Sequence, residues 1–240
     1  MKTYFPTYNA ATMNETSDFE PRIKEEFNKM GLEPTKSQLR TACGLKEVME
    51  MRHSLMCQGG PLSGKSTAIQ AVANVLGNVD IAKINTKEVT NQQFYGDFNQ
   101  DGEWKDGIFS KQLRAFSEVE DGRRKWIVLD GPIDPEFVEH LNSVMDDNKA
   151  LCLANGALIP LKSHFNLIFE TESLATTTPA TISRNGFVSF PASNIQWTDL
   201  YSHFASKFSE AEKKDLEQAQ ASLEKVFAFM STTKTVLPLN

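Results

Sequence analysis

Gly59-Gly60-Pro61-Leu62-Ser63-Gly64-Lys65-Ser66 is the stretch around which the rest of the chain is organised. Its spacing, a glycine, four residues and then Gly-Lys-Ser, is that of a loop built to hold phosphate. Glycines let successive backbone N–H groups curl around phosphate oxygens. A helix that opens inside the motif turns its positive end toward them. Lys65 is placed to reach the β- and γ-phosphates and the Ser66 hydroxyl to ligate Mg²⁺, with Thr67 completing the candidate set. A chance match in a chain of this length is a roughly 1% event on average residue usage. The surroundings agree as well. Leu55-Met56-Cys57 reads as a strand before the loop, and Lys65 to about Leu76 as a helix after it.

Outward from the loop, strands and helices alternate. Val79 to Ile84 reads as a strand, Gly107 to about Val119 as a helix, and Trp126-Ile127-Val128-Leu129 as a buried parallel strand. A helix is expected from Pro135 to about Met145. A hairpin is expected from Leu151 to Leu161, with Asn155-Gly156 in its turn. Asn166 to Glu170 and Phe187 to Phe190 complete five core strands, and the alternation predicts an α/β fold with a parallel sheet and right-handed crossovers. Before the loop, Ser17 or Asp18 is placed to cap a helix through about Met30, with Gly31 as its stop. A second helix, Thr35 to about Arg52, would bury Leu39, Ala42, Leu45 and Val48 or Met49. Residues 1–17 read as a polar arm, and Trp197 to Phe208 and Ser209 to about Ser231 as helices.

Composition narrows the function. With 25 Lys+Arg against 31 Asp+Glu, a net charge of −6 removes the basic footprint that nucleic-acid binding requires. No apolar run approaches the length of a membrane span, and the N-terminus lacks the apolar region of a secretory signal. Cys43, Cys57 and Cys152 are far apart and His53, His140, His164 and His203 are scattered. Zinc and disulfides are therefore set aside, and the cysteines are expected as buried thiols.

A phosphate loop needs a second acid at a strand end to hold Mg²⁺ through water, and Asp130 after Leu129 supplies it. ATPases with a strand inserted between these two elements follow that Asp with a Glu, the base that polarises the attacking water. Here Gly131 stands there, and glycine cannot take a proton. Asp134 and Glu136 lie past Pro132 and on the way into a helix.

Three groups of residues resemble dynein heavy chains, and specifically the second AAA+ module of their motor ring. The first is Trp126-Ile127-Val128-Leu129-Asp130-Gly131-Pro132-Ile133-Asp134. The second is Leu141-Asn142-Ser143-Val144-Met145-Asp146-Asp147-Asn148-Lys149, continued by Leu151 to Gly156. The third comprises Arg52-His53, Tyr95 to Phe98 with Glu103 to Gly107, and Pro179 to Gly186. The resemblance covers roughly residues 18 to 240, and its Asp-Gly-Pro wording is nearer axonemal than cytoplasmic forms. It implies a large AAA+ α/β subdomain over 18–231, with 232–240 starting the connection to a helical lid outside the chain. It implies that Arg184 serves as an arginine finger in trans for the preceding module, and that Glu170 stands where AAA+ ATPases carry a neutral polar sensor, which an ionised carboxylate cannot replace as a hydrogen-bond donor. It also implies that the Asn99 to Lys105 region and the Leu151 to Leu161 hairpin face the mechanical linker. On the residues alone, Trp104 is either an exposed contact for that linker or the anchor of a packed hairpin.

The expected function is thus ATP- or ADP-binding with Mg²⁺, little hydrolysis at this site, and partners in the neighbouring AAA+ modules and the linker. Microtubules would be reached only through other parts of the motor, in cytoplasm, cytoskeleton or an axoneme. Three other readings stay open. Glu170 replaces the missing base, or the loop is a relic on a nucleotide-free scaffold, or the chain is a P-loop phosphotransferase. The last would need an acceptor-activating base and an arginine-rich lid, and the sequence displays neither.

Overall fold

Trp126 to Leu129 points alternately into two apolar layers, and this alternation sets the architecture. Trp126 and Val128 face one layer and Ile127 and Leu129 the other, as the two-residue period of a strand requires. The computed structural model describes residues 18–87, 89–195, 201, 204–205 and 208–232. The chain divides into two units between Asn194 and Ile195.

The first unit begins with α1 (Phe19–Lys29), α2 (Lys36–Met51), β1 (Ser54–Gln58), α3 (Lys65–Leu76) and β2 (Val79–Asn85). There follow α4 (Asn91–Tyr95), β3 (Gly96–Phe98), β4 (Trp104–Asp106), α5 (Ile108–Glu118) and β5 (Arg124–Asp130). The rest is α6 (Pro135–Glu139), α7 (Asn142–Met145), β6 (Ala150–Cys152), β7 (Leu158–Pro160), β8 (Phe165–Thr171), α8 (Pro179–Arg184) and β9 (Gly186–Ser189). The central sheet has the order β2-β5-β8-β1-β9, and every neighbouring pair is parallel. Helices α1, α2 and α3 cover one face through Ile23, Phe27, Leu45 and Val72. The other face packs under α4, α5, α6 and α7 through Phe94, Phe109, Leu113, Phe137 and Val144. Two antiparallel hairpins, β3-β4 and β6-β7, stand apart from this sheet.

All five expected core strands are present. Thr35 caps α2 with a reciprocal capping box to Gln38, which explains why this helix starts where it was expected. Asp18 stands at the N-cap of α1, but its side chain makes no capping bond. The single helix expected from Pro135 to Met145 is instead two. Leu141 N–H donates to Val138 O at 2.9 Å, a bond one residue short of the α pattern that ends the first piece. Cys43 and Cys57 are buried, and burial pushes the Cys43 thiol up to about 11. Cys152 is exposed, contrary to expectation, because it lies on the outward side of β6. Trp104 is a packed anchor: it meets Phe98 edge-on at 5.2 Å and donates Nε1–H to Asp106 Oδ1 at 2.8 Å.

The second unit contains the helix Glu210–Thr232, close to the span expected from Ser209 to Ser231. The arm 1–17, most of the helix expected at Trp197 to Phe208, and residues 233–240 lie outside the described residues. No helix among the described residues is long and apolar enough to cross a membrane.

Candidate nucleotide site

The phosphate loop leaves the sheet at the C-terminal end of β1. Gly59 N–H donates to Thr171 O at 3.0 Å, and Phe190 N–H to Gln58 O at 2.6 Å, so β8 and the end of β9 hold its base. Gly64, in the left-handed region at φ 88°, caps α3 and turns the chain into the helix. Leu62 also has positive φ, at 60°, and its side chain is turned out to solvent. Lys65 Nζ folds over the loop, donating to Gly59 O at 2.6 Å, Gly60 O at 2.8 Å and Ser63 Oγ at 3.3 Å. A cleft of about 580 Å³ opens beside it, lined by Pro61, Lys65, Lys87, Asp130, Gly131 and Glu170 among others. That size suits a nucleotide. The cradle therefore fits phosphates, through backbone N–H groups at the loop and the start of α3.

Strand parity brings the other predicted residues to the loop. Asp130 follows Val128 by two, and Glu170 follows Ile168 by two, so both carboxylates lie on the face covered by α3. Register sets them side by side, since Asp130 pairs with Glu170 and Glu170 with Cys57. Ser66 Oγ, in the first turn of α3, donates to Glu170 Oε2 at 2.5 Å. Glu170 is 4% exposed. Burial of Cys57 itself, and after it the charge of Glu170, raises the Cys57 thiol and keeps it protonated.

One residue that the sequence reading passed over completes this group. Lys83, on β2, places Nζ 3.0 Å from Asp130 Oδ2, 3.5 Å from Glu170 Oε1 and 3.3 Å from Ser66 Oγ. Burial alone would pull its pKa down. The hydrogen bond to Asp130 and the field of Glu170 outweigh that and raise it. The available signal was parity. Lys83 is two residues from Ile81, which packs on the α3 face, so a lysine inside that strand was already aimed at the site. Oxygens of the type Mg²⁺ prefers are present, but an ammonium stands among them.

Gly131 has a steric reason. Its φ is +154°, and a Cβ built there would lie 2.4 Å from Thr86 Oγ1 and 3.4 Å from Lys87 N. Asp134 is exposed, and its carbonyl accepts from Val138 N–H at the start of α6.

Arg184 lies at the other end of the sheet. It ends α8, two residues before Gly186, which pairs with Leu55 near the start of β1. Neighbouring Asn185 accepts a hydrogen bond from the Ser54 hydroxyl there. The loop begins four residues beyond Leu55, about 13 Å along an extended strand. Arg184 Nε is paired with Asp146 Oδ1 at 2.6 Å, and Nη1 donates to Ala180 O at 2.9 Å. Of the predicted site residues, the loop, Asp130 and Glu170 come together, and Arg184 stands apart from them.

No protein-family model matches the chain. Over 188 residues, 76% of its length, it is 38% identical to the ciliary dynein beta chain of Tripneustes gratilla. Similarity to the corresponding chain of Heliocidaris crassispina is the same, 38% over 188 residues. With human dynein axonemal heavy chain 9 it is 34% identical over 215 residues, 88% of this chain. The chain spans only about 4 to 5% of the length of these relatives. Its homologues are thus axonemal and ciliary dynein heavy chains, and its fold is the AAA+ type of P-loop α/β domain.

Proposed function

We propose that the chain is the second AAA+ module of a dynein motor ring, and that its site binds ATP or ADP with little or no hydrolysis. One observation carries the loss of hydrolysis. The position of the general base is a glycine whose missing side chain has no room beside Thr86. Glu170 is a poor substitute, because its two oxygens already serve the Ser66 hydroxyl and the Lys83 ammonium. The intact loop and its cleft favour a nucleotide-holding site over a relic.

Arg184 acts on the preceding module. A guanidinium at the sheet end opposite the loop cannot serve its own phosphates, while its fork suits charge on a neighbour's γ-phosphate. Asp146 holds it in place until that neighbour docks. Further partners are the adjoining modules and the linker of the same heavy chain, with microtubules reached through other parts of the motor. The location that follows is cytoskeletal, in the axoneme of a cilium or flagellum.

The deciding experiment is ATP turnover in an assembled ring whose other sites are disabled. Turnover near background is expected, and robust turnover abolished by Lys65→Ala would sink the proposal. Arg184→Ala should slow the neighbouring site while leaving nucleotide occupancy here unchanged.

A further inference from the structure

We infer that Lys83 is a tethered cation standing in for Mg²⁺, so that this site holds a nucleoside di- or triphosphate without a divalent metal. The inference rests on the nucleotide-binding reading and adds what balances the charge there. An ammonium has three donors and no acceptor. Here three acceptors lie on its inner side, on Asp130, Glu170 and Ser66, at 3.0, 3.5 and 3.3 Å, while the rest of the side chain is open to solvent. These are the side chains that would otherwise bind the metal directly or through water.

The placement is built into the sheet. Lys83 pairs with Val128 on β5, two residues before Asp130, and seven consecutive pairs fix that register. Ile81, Val128, Lys83 and Glu170 line one open hollow beside Ser66. Removing the ammonium would leave Glu170, 4% exposed, leaning on the Ser66 hydroxyl, and a buried carboxylate stripped of its cation is costly. A divalent cation entering beside Lys83 would meet a like charge at contact distance. With Lys65 on the loop and Lys83 below it, two lysines offset the two carboxylates, and the nucleotide brings its own charge to the backbone cradle.

Titration of the full chain with a fluorescent N-methylanthraniloyl ADP, in excess Mg²⁺ and in EDTA, tests this. Wild-type affinity is expected to be at least as high in EDTA as in Mg²⁺, which ties up part of the free nucleotide. Lys83→Met should lose roughly 10- to 100-fold in EDTA and recover in Mg²⁺, as for a lost charge-assisted bond now supplied by metal. A readout free of the variant is electron paramagnetic resonance of Mn²⁺ with ADP: adding the wild type should hold no Mn²⁺ beyond the complex that ADP already forms in solution. Wild-type binding that collapses in EDTA, or one Mn²⁺ held per nucleotide, overturns the inference alone. No nucleotide binding in either buffer overturns the nucleotide-binding reading and the inference with it. Should Lys83→Met fail to fold by circular dichroism, the wild-type measurements decide by themselves.

Discussion

Replacing Gly131 with glutamate restores, on paper, the base that AAA+ ATPases carry at this position, and the structure says the exchange fails twice. The first cost is backbone. At φ +154° a residue with a Cβ sits in a region that only glycine visits freely, at about 1–3 kcal/mol. The second is contact. The Cβ would lie 2.4 Å from Thr86 Oγ1, and such overpacking costs a further 1–3 kcal/mol or so. Together roughly 2–6 kcal/mol are lost, and a domain of this size melts about 2–4 °C lower per kcal/mol. Gly131→Ala isolates both terms without the carboxylate and should melt about 4 °C or more below wild type. Adding Thr86→Gly removes the contact and should recover that share alone, leaving the backbone share in place. Urea denaturation gives the energies, and ATP turnover of Gly131→Glu gives the chemistry, expected to stay at the wild-type level. The reasoning is refuted if Gly131→Ala is within about 0.5 kcal/mol of wild type. A gain in turnover by Gly131→Glu of the 100-fold order that a working base supplies refutes it equally.

Two further predictions concern the layer packed on the opposite face and the β3-β4 hairpin beside it. Phe94 is fully buried, stacked on Phe109 at 4.7 Å and edge-on to Phe137 at 4.3 Å. Phe94→Ala should cost about 3–5 kcal/mol in urea denaturation, and a loss under about 1 kcal/mol would show that this cluster does not anchor α4. Arg114, first, and Trp104, second, hold the Asp106 carboxyl below its usual value. A depressed acid stabilises above its unfolded pKa and loses that contribution as pH falls through the folded one. The stability gap between wild type and Asp106→Asn should therefore be present at neutral pH and close below about pH 4. Both side chains are partly exposed, so the gap is expected under about 1 kcal/mol; a gap unchanged down to pH 2 refutes the pairing.

The five core strands were legible because each is a short apolar run bounded by turn residues or charges. The loop was legible because its chemistry is local in sequence. Helix α4 was missed: five residues are too few to show a period, although Thr90 and Gln93 form a capping box that marks its start. The break at Leu141 was illegible, because apolar residues continue through it and only the Val138 bond reveals the tighter turn. Asp130 and Glu170 could be placed at strand ends, but their side-by-side register depends on the order β2-β5-β8-β1-β9, and nothing local to either strand encodes that order. Arg184 was identified by resemblance. Its distance from the loop follows from one parallel pairing, Gly186 with Leu55.

The two unusual features beside Asp130, glycine after it and the Lys83 ammonium against it, have a common physical source in the end of β2. Lys83 belongs to that strand, and Thr86 is the residue just beyond it. Thr86 N–H donates to Asp130 O at 3.1 Å, extending the β2-β5 ladder past Asn85. The extension brings Thr86 Oγ1 against Gly131, while Lys83, three residues earlier, reaches under Asp130. A base on β5 would need this extension to part, and a metal beside Ser66 would need the same strand to give up its lysine. Because the ladder fixes both residues relative to Asp130, neither change can be undone by altering β5 alone. On the proposed reading, the space that a base and a metal would need beside Asp130 is taken by Thr86 and Lys83. A site closed in this way can still present its backbone cradle to phosphate, since the loop backbone hangs from β1, β8 and the end of β9, while β2 reaches it through the Lys83 side chain at Ser66.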